Sequence, residues 1–139
     1  TWCHGASGIV IARLTNLALA PSLEDREAAG AVLGRLLDEA HRPDLAAGEA
    51  DDLCCGHSGR IDTLLQAHLL LDNPALLEGA LALMRRVSER AQRAGGYSLS
   101  AARGADIFAP SLFQGIAGLG YTLLRLAEPR TLPCLLLLE

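Results

Sequence analysis

The chain has no lysine; all 12 of its basic residues are arginine. That removes the phosphate-binding loop ending in Lys-Ser/Thr, and it removes Schiff-base chemistry on a lysine amine. Aromatic residues are scarce as well, at 4% of 139 residues, so any core is built from aliphatic side chains. No stretch approaches the roughly 18–20 continuous apolar residues of a membrane span. The closing Leu135-Leu136-Leu137-Leu138 falls far short of one. With a net charge of −4 and no basic run, nucleic acid is a poor match as main partner. Nor do the four cysteines form a dense disulfide framework, and no signal peptide precedes the first motif. A reducing cytoplasm is the expected compartment. The first residue is Thr1 and a motif starts at residue 2, where chain ends ordinarily fray. Residues 1–139 therefore read as the C-terminal portion of a longer domain.

What is present is an apolar half arranged in repeats. Cys3-His4-Gly5-Ala6-Ser7-Gly8 leads into Ile9, Val10, Ala12 and Leu14. Cys55-Gly56-His57-Ser58-Gly59 leads into Ile61, Leu64 and Leu65, and Gln114-Gly115-Ile116-Ala117-Gly118 into Leu119, Leu123 and Leu126. Self-similarity at fifty to sixty residues marks stacked units, and glycines at a helix entrance let neighbouring elements approach closely. Between these segments lie two further helices. Ser22 caps one running to about Ala40, with Glu24, Asp25 and Glu27 in its first turn. Asn73-Pro74 opens the other, which stops at Gly95-Gly96. No alternating strand pattern is visible. The expected fold is all-α: five helices in alternating inner and outer layers, loops at 42–53 and 95–113, and a short tail after Pro129. Such an arc leaves two open apolar edges that a closed ring would remove.

The chemistry concentrates at the helix entrances. Trp2-Cys3-His4-Gly5 and Cys54-Cys55-Gly56 place three thiols at the mouths of two repeat units. Thiolates drawn to one point suit zinc, which keeps a fourth position open when its work is catalytic. Inert buried thiols, or a vicinal pair capable of redox chemistry, fit the same spacing.

These motifs, with Ser111-Leu112-Phe113-Gln114-Gly115-Ile116-Ala117-Gly118-Leu119-Gly120-Tyr121, resemble the lanthionine synthetase C-like family. The ending Leu132-Pro133-Cys134-Leu135-Leu136-Leu137-Leu138-Glu139 is similar to the C-termini of class II lanthipeptide synthetases, whose last domain is such a cyclase. The resemblance implies an α/α toroid with zinc at the top of its inner helices. It also implies a reaction in which a cysteine thiol of a dehydrated precursor peptide adds to dehydroalanine or dehydrobutyrine. Cys3 matches the family's first zinc ligand and Cys54 its second. Cys55 stands where a histidine is usual, as in the subgroup that binds zinc through three cysteines. Three thiolates leave a formal charge of −1 before substrate binds, which should make the bound thiolate more reactive.

Other residues have lesser roles. His57 is an alternative ligand to one of the cysteines. His4 is a candidate for proton transfer, the usual work of an imidazole, and Trp2 for the wall of the substrate pocket. Cys134 reads as core, and His41 and His68 as structural or solvated. The acidic Glu49, Asp51 and Asp52 read as a solvated loop. The Gly-x-x-Gly-x-Gly after Gln114 follows no strand and is not a dinucleotide site. The family's further catalytic residues lie upstream of the Trp-Cys motif. The piece is thus expected to need the rest of its parent synthetase, and the alternative is a non-catalytic zinc-, thiol- or peptide-binding protein.

Overall fold

A computed structural model describes residues 1–20, 22–45, 48–100 and 108–138. Five helices follow one another: α1 (Ala6–Leu19), α2 (Leu23–Ala40), α3 (His57–Leu71), α4 (Pro74–Ala94) and α5 (Ile116–Ala127). A single 3-10 turn, Leu135–Leu137, follows α5. Among the described residues there is no strand, and no helix is long and apolar enough to cross a membrane. The expected loops at 42–53 and 95–113 fall partly outside the described residues, as does Glu139.

Local chemistry sets the outer helices as expected. The Ser22 hydroxyl accepts the Asp25 N–H at 3.2 Å, and Glu24 and Asp25 occupy the positive end of α2. Asn73 caps α4 by accepting the Ala75 N–H, Pro74 follows it, and Gly95 ends the helix at φ +80°. The helices then pack in two layers. α1, α3 and α5 lie side by side with α3 in the middle, and from outside α2 covers α1 and α4 covers α3. Val10, Leu14, Leu33, Leu36, Ile61, Leu64, Leu76, Leu83 and Val87 fill the space between layers. Each such aliphatic side chain contributes about 1.5–3 kcal/mol by leaving water. Apolar residues stay exposed on both flanks of this arc, Ile9 on α1 and Leu124 on α5 each more than half so.

The repeats are structural as well as sequential. The turns 2–4, 53–55 and 112–114 each lead through an extended glycine, Gly5, Gly56 or Gly115, into an inner helix. Three residues further on, a Cβ at Gly8, Gly59 or Gly118 would collide with the carbonyl oxygen of Trp2, Leu53 or Leu112. The second glycine therefore exists so that the turn can fold back over the first turn of its helix. Gly59→Ala should cost about 1–3 kcal/mol, read as a lower denaturation midpoint, whereas Gly34→Ala, facing open space on α2, should not destabilise. The three turns are also joined to one another. The Trp2 N–H donates to the Cys54 carbonyl at 3.0 Å, and the Cys54 N–H donates to the Phe113 carbonyl at 2.8 Å. All three inner-helix entrances thus lie at one end of the bundle.

Candidate metal centre

Anchoring the repeats on their first glycines puts Cys3, Cys54 and Phe113 at one position of the turn, with His4, Cys55 and Gln114 at the next. Because the turns are hydrogen-bonded side by side, the cysteines of two repeats meet. Cys3 Sγ lies 3.7 Å from Cys55 Sγ, and Cys55 Sγ lies 3.4 Å from Cys54 Sγ. Cys3 is exposed, Cys55 half-buried and Cys54 buried. A tetrahedral zinc ion with bonds of about 2.3 Å sets its sulfurs about 3.8 Å apart. The donors fit that ion in type, and the Cys3–Cys55 and Cys54–Cys55 separations lie near that spacing.

A mutually close set of donors leaves out Cys54 and takes in the imidazole of His4. The ligating atoms of His4, Cys3 and Cys55 all lie within 4.8 Å of one another. The ring is exposed, and the Thr1 hydroxyl sits 3.3 Å from its Nδ1. Trp2 stands at the edge of the group. Its ring stacks on Phe113 with centroids 5.4 Å apart and planes 8° from parallel, and its indole N–H donates to the Leu136 carbonyl at 2.9 Å. An open cleft of about 600 Å³ runs from here along α1, lined by Trp2, Cys3, His4, Gly5, Gly8, Ile9 and Ala12.

The three thiols differ in their electrostatics. Burial, and then the neighbouring Cys3 and Cys55, push the Cys54 thiol up to about 12. Cys55 is raised too, first by burial. Cys3 moves the other way, because the Cys54 thiol stabilises its thiolate by a hydrogen bond. Cys54 and Cys55 are thus held as neutral thiols, and deprotonating all three together would call for a positive charge among the sulfurs.

Two expectations from the sequence are corrected here. His57 does not face the thiols. It is buried, its Nδ1 lies 2.8 Å from the Ala50 carbonyl and 3.1 Å from Asp51 Oδ1, and its Nε2 lies 3.0 Å from Glu49. The first turn of α3 points it into the loop behind the site, so it is no substitute ligand. Nor are Asp51 and Asp52 solvated, since both are fully buried. Asp51 pairs with Arg90 and accepts the Ser98 N–H, while Asp52 accepts the Cys55 and Ser100 N–H groups, the former at 2.9 Å. Burial alone would raise the Asp51 carboxyl, but His57, the Ser98 N–H and Arg90 together hold it below the usual range. Arg60 does the same for Glu49. The short tail after Pro129 is docked on the inner helices, and Cys134 is core as expected. Leu136 and Cys134 are buried against Ile11 and Leu53.

Cys134 takes no part in the thiol cluster. Its sulfur faces Asp62 at 3.5 Å, and burial followed by that carboxylate pushes it up to about 12. His41 and His68 cap local backbone, each ring Nδ1 lying 2.8 and 3.0 Å from the Leu37 and Asn73 carbonyls respectively. The residues that sequence reasoning missed are the supports, Phe113, Leu136 and Asp52. Two of them left a signal: Phe113 shares the repeat position of Cys3 and Cys54, and an aspartate that accepts the N–H three residues on follows the pattern of an N-cap.

Helical layers, repeated glycine entrances and clustered thiols define a class of α-helical repeat protein with a candidate metal centre at one rim. Residues 1–137 match the model of the family described as lanthionine synthetase C-like protein. The chain belongs to that family, which is associated with lanthionine-cyclase activity on peptides and with zinc. No curated protein and no solved structure gives a significant match.

Proposed function

We propose that this chain is the zinc-bearing part of the cyclase domain of a class II lanthipeptide synthetase, with the ion held by Cys3, Cys54 and Cys55. The observation that supports it is the meeting of thiols from two turns, about fifty residues apart in sequence, at the rim of an open cleft. Zinc, when bound there, would supply a precursor cysteine in its nucleophilic thiolate form.

The chain's own residues account for the rest of the site. The reaction adds S–H across the C=C bond of dehydroalanine or dehydrobutyrine. A sulfur–carbon bond forms at Cβ, the π pair moves to Cα, a proton arrives there, and nothing leaves. His4 is placed to accept the thiol proton or to return one, since its ring is exposed beside Cys3 and Cys55. Trp2 walls one side of the cleft. Gly5, Gly8 and Ala12 keep its floor shallow enough for an extended peptide, and the exposed Ile9 offers it an apolar contact. The partners are a dehydrated precursor peptide and the rest of the synthetase chain, in the cytoplasm.

One observation favours a second reading, a non-catalytic thiol- or peptide-binding role. Cysteines aside, His4 is the one acid–base group among the described residues lining the cleft. Incubation with a dehydrated precursor peptide separates the readings, with free thiols counted by alkylation and mass. The 139 residues alone should cyclise it hardly faster than the uncatalysed addition. The parent synthetase should consume the thiols, and lose that ability with Cys3→Ala. Full activity in the parent Cys3→Ala variant would rule out the thiol centre, and an inactive parent would leave the binding reading.

A further inference from the structure

Cys3 comes from a different turn than Cys54 and Cys55, and it is the one exposed member of the set. The Cys54-Cys55 turn has its own anchors, since the Cys54 N–H is held by the Phe113 carbonyl and the Cys55 N–H by the Asp52 carboxylate. What joins the two halves is Trp2. Its backbone N–H reaches the Cys54 carbonyl, its ring lies flat on Phe113, and its indole N–H reaches the Leu136 carbonyl. Leu136 belongs to the C-terminal segment, which is itself stitched to the inner helices. The Leu132 and Pro133 carbonyls accept from Arg125 Nε at 3.3 Å and the Tyr121 hydroxyl at 3.0 Å, and Leu136 is 3% exposed.

We infer that Trp2 is a positioning residue: through its indole hydrogen bond, the docked C-terminal segment fixes Cys3 against Cys54 and Cys55 and so slows release of the bound metal. This rests on the zinc-centre reading and deepens it. A thiol on an exposed turn keeps its distance to two others only if the turn cannot pivot. The backbone bond to Cys54 is a single point about which pivoting is possible. The indole bond to the Leu136 carbonyl is the second point that stops it.

The test uses the 139-residue chain loaded with Co²⁺, whose sulfur-to-metal charge-transfer absorption reports thiolate ligation, and follows release into excess chelator. Trp2→Phe keeps an aromatic ring on Phe113 but removes the donor. It should still bind about one cobalt and release it roughly fivefold faster, the effect of one lost hydrogen bond of ordinary strength. A chain ended after Leu135 loses that bond together with the buried Leu136 side chain, so it should release cobalt at least as fast, and adding Trp2→Phe to it should accelerate release no further. Release from Trp2→Phe at the wild-type rate overturns the inference, and so does a combined variant whose acceleration is the product of the two. If the shortened chain does not fold, the Trp2→Phe rate decides alone. A wild-type chain that takes up no cobalt overturns the metal centre itself, together with this inference.

Discussion

Replacing Cys54 or Cys55 by alanine should empty the protein of zinc, while replacing Cys134 should leave it loaded. Purified without chelator, the wild-type chain is expected to carry about one zinc ion per molecule, bound by sulfur. The three thiols that meet at the rim are Cys3, Cys54 and Cys55, with 3.7 and 3.4 Å between successive sulfurs. Cys134 is buried elsewhere, against Asp62. Structural zinc sites are worth about 10–16 kcal/mol at neutral pH, so each sulfur carries several kcal/mol and its loss weakens binding more than about 100-fold. Metal analysis after gel filtration reads this directly. Zinc retention should also fall as the pH is lowered, since protons compete for the same sulfurs. Substoichiometric zinc in the wild type, or full zinc in Cys55→Ala, would contradict the site.

The largest loss of stability is expected at Arg125→Ala. Arg125 and Asp62 are both about 1% exposed and paired with each other, Asp62 on α3 and Arg125 on α5. The same guanidinium donates to Gln66 at 2.8 Å and to the Leu132 carbonyl, so one side chain ties two inner helices to the C-terminal segment. Removing it leaves a buried carboxylate without a counter-charge, at a cost of about 3–5 kcal/mol. Domains are stable by only about 5–15 kcal/mol, so urea unfolding should show the midpoint collapse. Changing both partners, Asp62→Leu with Arg125→Met, should recover most of that loss, because the penalty comes from the stranded charge. A double variant as unstable as Arg125→Ala would mean that the pair itself holds α5 to α3.

The helices were legible because their signals are local. Ser22, Asn73-Pro74 and Gly95 act within one turn of where they stand, and the structure places each at the end it marks. The thiol cluster was legible for a different reason. The glycine steps recur, so Cys3 and Cys54 could be matched without knowing where either lies. Distant partners were not legible. Asp51 and Asp52 read as a solvated loop by composition, yet their ligands, Arg90, Ser98 and Ser100, come from 39 to 48 residues later. His57 follows Cys55 by two residues but is turned from it by the start of α3, and spacing alone carries no such rotation. The burial of the C-terminal segment depends likewise on Arg125, Tyr121 and Trp2, none of them its neighbours in sequence.

The string of backbone hydrogen bonds from Trp2 to Cys54 and from Cys54 to Phe113 divides the chain into parts with different freedom to vary in length. At the rim, each turn must present its N–H and C=O at one fixed height, so a single inserted residue between turn and glycine would unhook a whole unit. The outer connections face no such rule. The first glycines are 51 residues apart in one interval and 59 in the next, and the hydrogen-bonded rim accepts both. Part of the difference lies in the outer helices, 18 residues in α2 against 21 in α4, so the outer layer changes length while the turns stay in register.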